Sequence, residues 1–130
     1  MRLPQEFIDH PLPFPDLVEY RAFCRHVVDG DTFDFLVDLG LHQYSYITVR
    51  LANVDTPEIF QPKSEYEREE GYKAKKLVED TILDKPAKII THRHRTTFGR
   101  YIADVYYWQD DEWYDLKILI REHGLDWIKR

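Results

Sequence analysis

Apolar and polar residues alternate along the first half of the chain, then switch to a helical period in its middle. Leu17 to Val28 is rich in strand formers, and Asp29, Gly30 and Asp31 make a turn before Thr32 to Leu39, where Phe33, Phe35, Val37 and Leu39 share one face. The two runs predict a hairpin. Gly40 opens a further turn, and Tyr46 to Asn53 predicts a third strand with Ile47, Val49 and Leu51 on one side and Thr48, Arg50 and Ala52 on the other. Pro57 and Pro62 bracket a loop. Over residues 64–83, Ala74, Leu77, Val78 and Thr81 fall at i, i+3, i+4 and i+7 among glutamates and lysines, predicting an amphipathic helix with Ser64 as N-cap and Glu67 three residues later. After Pro86, Ala87 to Thr91 and Arg100 to Trp108 read as strands joined by a turn over Thr96 to Gly99. Asp115 caps a short last helix carrying Leu116, Leu119 and Ile120, stopped by Gly124.

Three strands, a helix, two strands and a helix predict a mainly β fold with helices, of the α+β class. The order matches the five-stranded OB-fold barrel, packed here with two or three α-helices. Residues 1–18 hold Pro4, Pro11, Pro13 and Pro15 interleaved with Phe7, Ile8, Leu12 and Phe14, and read as an irregular N-terminal arm; 19–130 form the barrel domain. No internal repeat is evident.

Composition narrows the function. Hydrophobic residues at 43% and only 5 glycines argue for a folded chain. The longest run without Asp, Glu, Lys or Arg is Leu39 to Val49, well short of the ~20 residues that cross a bilayer, and no basic-then-apolar leader opens the chain; a cytoplasmic monomer without membrane contact is expected. Cys24 stands alone, which excludes an internal disulfide and a cysteine-rich zinc site and predicts a small buried apolar residue. A net charge of −6 is the wrong sign for binding a polyanion over a broad surface, so a nucleic-acid function needs a local basic site or a bound cation. Residues 84–100 are the one substantially basic stretch.

Four carboxylates sit at strand ends, Asp29 and Asp31 around Gly30, and Asp55 and Glu58 around Thr56 and Pro57. Either cluster alone also reads as an ordinary turn. Asp31, however, shares parity with Phe33 and Phe35 and is expected to point inward at the barrel mouth, where a carboxylate needs a partner; a hard cation such as calcium, which takes several oxygen ligands, is a natural one. Arg50 lies in an otherwise apolar strand and Arg100 begins another. Each reads alone as a structural ion pair, but together at one mouth they would hold a phosphate and stabilise charge growing on its oxygens.

VVDGDTFDF at 27–35, VRLANVDTPE at 49–58, GYKAKK at 71–76 and FGR at 98–100 together resemble the staphylococcal nuclease family, over about Val27 to Leu125. The resemblance implies an OB-fold and calcium-dependent cleavage of DNA and RNA to a 3′-phosphate and a 5′-hydroxyl; a single-stranded or locally opened nucleic acid is the expected substrate. Matched motif by motif, it implies Asp31, Asp55 and the carbonyl of Thr56 as calcium ligands, Glu58 as general base and Arg50 and Arg100 as phosphate-gripping residues, with Asp29 near the metal but outside its ligands. The chain departs from the family pattern at Thr96, Thr97 and Phe98, where an acidic residue, a lysine and a tyrosine are common, and it ends six residues after Gly124. Base stacking is then expected from Tyr44, Tyr46, Tyr101 or Trp127. A noncatalytic OB-fold module that binds nucleic acid or protein is the rival reading, which the retained Asp31, Asp55, Glu58, Arg50 and Arg100 disfavour.

His92, Arg93, His94 and Arg95 supply only two zinc-type ligands and read as a solvated tract able to steer a phosphate backbone toward Arg100. The C-terminal aromatics, Trp108, Trp113, Trp127, Tyr101, Tyr106, Tyr107 and Tyr114, read chiefly as core, and the acidic Asp110 to Asp115 as a solvated turn.

Overall fold

The computed structural model describes residues 4–11, 13, 17–97 and 100–128, with the backbone alone for 92–97. A five-residue helix α1 (Gln5–Asp9) forms within the proline-rich stretch that the sequence reads as irregular, and it buries no side chain. Strands β1 (Leu17–Asp29), β2 (Thr32–Gly40) and β3 (Gln43–Leu51) follow as a meander, then helix α2 (Glu65–Ile82), strands β4 (Pro86–Thr97), β5 (Arg100–Gln109) and β6 (Glu112–Asp115), and helix α3 (Leu116–Glu122). Strand order is β3-β2-β1-β4-β5-β6, and a parallel pairing of β3 with β5 closes the first five strands into the expected OB-type barrel.

Alternation along the strands fills the barrel. Phe33, Phe35 and Val37 of β2 are buried and face Val49 and Leu51 of β3, Cys24 and Val27 of β1, Ile89 of β4 and Val105 of β5, with Phe33 and Phe35 edge to face. Leu39, the last of the β2 series, runs out past the core and is half exposed. Burial pushes the Cys24 thiol up to about 12, in keeping with an inert apolar role. Helix α2 lies against the barrel through Gly71, Ala74, Val78 and Ile82, and Leu77 of the expected stripe packs at its edge. Ser64 caps it by accepting from the Glu67 N–H, while the Glu67 carboxylate accepts from the N–H of Lys63, one residue before the cap. Asp115 caps α3 through the Lys117 N–H, and α3 buries Leu116 and Ile120.

Two expectations fail at the same place. The stretch from Asp110 to Asp115 is a solvated turn only at Asp110 and Asp111, which adopt φ of 51° and 62° in a two-residue hairpin turn; Glu112–Asp115 continue as β6, which pairs Trp108 with Trp113 and Tyr107 with Tyr114. Trp108 and Trp113 are consequently outside the core, packed edge to face on each other with Lys88 over the Trp113 ring. Strand β4 also runs six residues beyond its expected end, because its partners are long enough to pair with it: Leu17 of β1 stands opposite His92, and Thr96 and Thr97 stand opposite Tyr101 and Arg100.

Candidate active site

The two carboxylate clusters meet because of a missing side chain. A Cβ on Gly30 would lie 2.7 Å from the Ala74 Cβ and 2.7 Å from the Thr56 Oγ1, so the β1–β2 turn can press against the segment after β3 only with glycine there. Gly30 has no positive φ; the requirement is room, not backbone handedness. The Leu51 N–H then donates to the Asp31 carbonyl at 2.8 Å, tying the turn to the end of β3.

Asp31 points inward, as its parity predicts, and is 7% exposed. One carboxylate oxygen accepts from the Thr56 N–H at 3.0 Å and the other from the Thr32 hydroxyl at 3.2 Å, while the Asp31 N–H donates to Asp29 Oδ1. Burial raises the Asp31 carboxyl to about 6, the Arg50 guanidinium opposes the rise and the neighbouring Asp29 adds to it. The negative charge at Asp31 is therefore only partly compensated by the protein itself.

Arg50 is the hub. Its Nη1 donates to the carbonyls of Leu51 at 2.6 Å and Val54 at 2.7 Å, and its Nη2 lies 3.3 Å from Asp31 and 3.6 Å from Asp55. One guanidinium thus shapes the turn after β3 and draws both aspartates to one nitrogen. Glu58 follows on the loop between Pro57 and Pro62, which sits on α2 where Gly71 leaves room: a Cβ there would meet the Pro57 carbonyl at 2.7 Å and Ile59 at 2.9 Å. Partial burial, then Asp31, Asp55 and Glu67, raise the Glu58 carboxyl above its ordinary value.

Asp29, Asp31, Arg50, Asp55, Glu58 and Arg100 all line one cavity of about 430 Å³. Thr56 backs it through its bond to Asp31. Arg100, at the start of β5, differs from Arg50: no hydrogen bond or ion pair holds its guanidinium among the described residues. The side chains of His92, Arg93, His94 and Arg95 lie outside the described residues, as do Phe98 and Gly99. No group of three His, Cys, Asp or Glu converges on a metal position among the described residues. The oxygen donors available among the described residues are the carboxylates of Asp31 and Asp55, both close to Arg50 Nη2, and the carbonyl of Thr56, next to Asp55 in the chain. This all-oxygen set suits a hard cation that completes its shell with water, such as calcium.

One group at the site escaped the reading of the sequence. Asp126, after α3, accepts from Arg121 Nε at 2.8 Å and from the backbone N–H groups of Asp55 and Ile128, both at 3.1 Å; its side chain is 6% exposed. Arg121 also donates to the Asn53 carbonyl, and the Trp127 N–H to the Asp55 carbonyl at 2.7 Å. Burial works against ionised Asp126, but Arg121 and the two N–H donors outweigh it and hold the carboxyl below its ordinary value. The Trp127 ring stacks on Tyr66, with centroids 5.9 Å apart, rather than standing free for a base, and Tyr101 lines a separate cavity with Tyr20 and Val37. Asp126→Ala is expected to cost about 2 kcal/mol, since it strands Arg121 and two backbone donors, and to lower the melting temperature by roughly 5–10 °C. A thermal melt unchanged from the parent protein would show that this clasp holds nothing.

A family model described as staphylococcal nuclease homologue matches residues 48–130, which takes in Arg50, Asp55, Thr56, Glu58 and Arg100 and leaves out Asp31. A comparison with curated proteins finds no match.

Proposed function

The chain belongs to the staphylococcal nuclease homologue family, and from that premise we propose that it is a calcium-dependent nuclease hydrolysing phosphodiester bonds of DNA or RNA to 3′-phosphate and 5′-hydroxyl ends. The observation that carries the reading is the single Arg50 guanidinium holding Asp31 and Asp55 together at the wall of the cavity that Glu58 and Arg100 also line. Asp31 lies outside the matched region, so its part rests on geometry: its bond to Thr56 and its pairing with Arg50.

Asp31, Asp55 and the Thr56 carbonyl would hold the calcium ion, which when bound supplies positive charge to the phosphate oxygens. Glu58, with its carboxyl raised above its ordinary value, takes a proton from the attacking water, whose oxygen bonds to phosphorus as the bond to the 5′-oxygen breaks. The leaving oxygen takes up a proton and departs as the 5′-hydroxyl. Arg100, unengaged by any acceptor among the described residues, offers its donors to the phosphate, while Arg50 keeps the carboxylates in register and faces the same cavity.

The test is cleavage of a fluorescently labelled single-stranded DNA with calcium, with magnesium and with chelator. Calcium is expected to support cleavage, with products that accept a new 5′-phosphate without prior phosphatase treatment. Calcium reactions no faster than chelator controls would overturn the nuclease reading in favour of a noncatalytic binding module.

A further inference from the structure

Phe60 is 67% exposed and yet it lines the cavity that holds Asp31, Arg50, Asp55, Glu58 and Arg100. Its position is not that of a stray surface residue. Ile59, immediately before it, is buried, and the Pro57–Ile59 backbone lies close enough to α2 that only glycine fits at position 71. The loop is therefore seated from below, and that seating sends Glu58 to the cavity wall and the Phe60 ring to its rim. No aromatic ring or cation packs on the Phe60 ring among the described residues.

Among the described residues the cavity sets four carboxylates, Asp29, Asp31, Asp55 and Glu58, against two guanidiniums, Arg50 and Arg100, in a chain of net charge −6. Charge attraction alone gives a polyanion little reason to settle there. An aromatic face, in contrast, binds without regard to charge, and among the described residues Phe60 is the only aromatic one lining the cavity. A nucleic acid offers such a ring one complementary surface, the face of a base, and base-on-aromatic stacking tolerates any sequence. In a duplex both faces of each base are already covered by neighbours.

We propose that Phe60 is a substrate-binding residue that stacks on an unpaired nucleobase next to the scissile phosphate, making the site selective for single strands. This rests on the nucleic-acid substrate of the nuclease reading.

Binding is measured first, by fluorescence anisotropy with chelator present so that no cleavage intervenes, using a short single-stranded oligonucleotide and an otherwise identical abasic one. Wild-type protein is expected to bind the base-bearing strand more tightly. Phe60→Ala should weaken that binding by about 5- to 50-fold and leave the abasic strand unaffected, and Phe60→Trp should restore it. With calcium, the Phe60→Ala loss should fall on KM, with kcat changed little. Equal weakening on both strands, or no weakening on the base-bearing one, overturns the proposal. Base-dependent binding through Phe60 in a protein that does not cleave would sustain this inference while removing the nuclease reading, so the two fail separately.

Discussion

Glu58→Gln is expected to lower kcat on single-stranded DNA by about 10³-fold, within the range for a lost general base. The substitution keeps the size and hydrogen-bonding reach of the side chain and removes only its ability to take a proton. Partial burial and three neighbouring carboxylates raise the Glu58 carboxyl above its ordinary value, the direction that makes it a better proton acceptor. The loop that carries it is held by Ile59 and by the close contact at Gly71, not by the Glu58 carboxylate, so the thermal melt should stay where it was. KM should move little, since the loss falls on the transition state. A kcat within tenfold of the parent, with calcium saturating, would take Glu58 out of the chemistry and leave it a solvated loop residue.

What the sequence made legible was whatever is written locally. The period-two series Phe33, Phe35, Val37 and the period-four series around Ala74 and Val78 each state which face is buried, and the barrel follows from their order. Asp31 was readable on the same grounds, because it continues the parity of the β2 series into the turn. The failures are nonlocal or depend on a neighbour. Trp108 and Trp113 look like core in an alternating strand, but the side they face is decided by a hairpin turn made of two aspartates, residues more often read as solvated. Strand β4 lengthens because β1 and β5 are there to pair with it. Asp126 bonds to a backbone N–H 71 residues away, and no spacing, charge run or propensity near Leu125 announces that partner. Arg50 was legible as a site residue but not in its form: its two carbonyl acceptors appear only when the chain turns back after β3.

That form separates the two arginines. Lysine in place of either keeps one positive charge and removes the planar fork. At Arg100 the fork has no partner among the described residues, so Arg100→Lys should leave the melting temperature unchanged and lower kcat by about 10²-fold, the scale of removing one preorganised donor from a developing charge. At Arg50 the same change strips the Leu51 and Val54 carbonyls of a shared donor and leaves one ammonium to serve two aspartates. Arg50→Lys should therefore lose about 1–2 kcal/mol of stability as well as a comparable factor in kcat, and its calcium affinity should fall because Asp31 and Asp55 are no longer drawn to one point. Thermal melts, calcium titrations and steady-state rates on the two variants decide the matter together. A stability loss confined to Arg100→Lys, or a calcium affinity untouched in Arg50→Lys, would reverse the division of labour; near-normal kcat in both would mean that the guanidiniums serve the fold alone and that the cavity binds nucleic acid without cutting it.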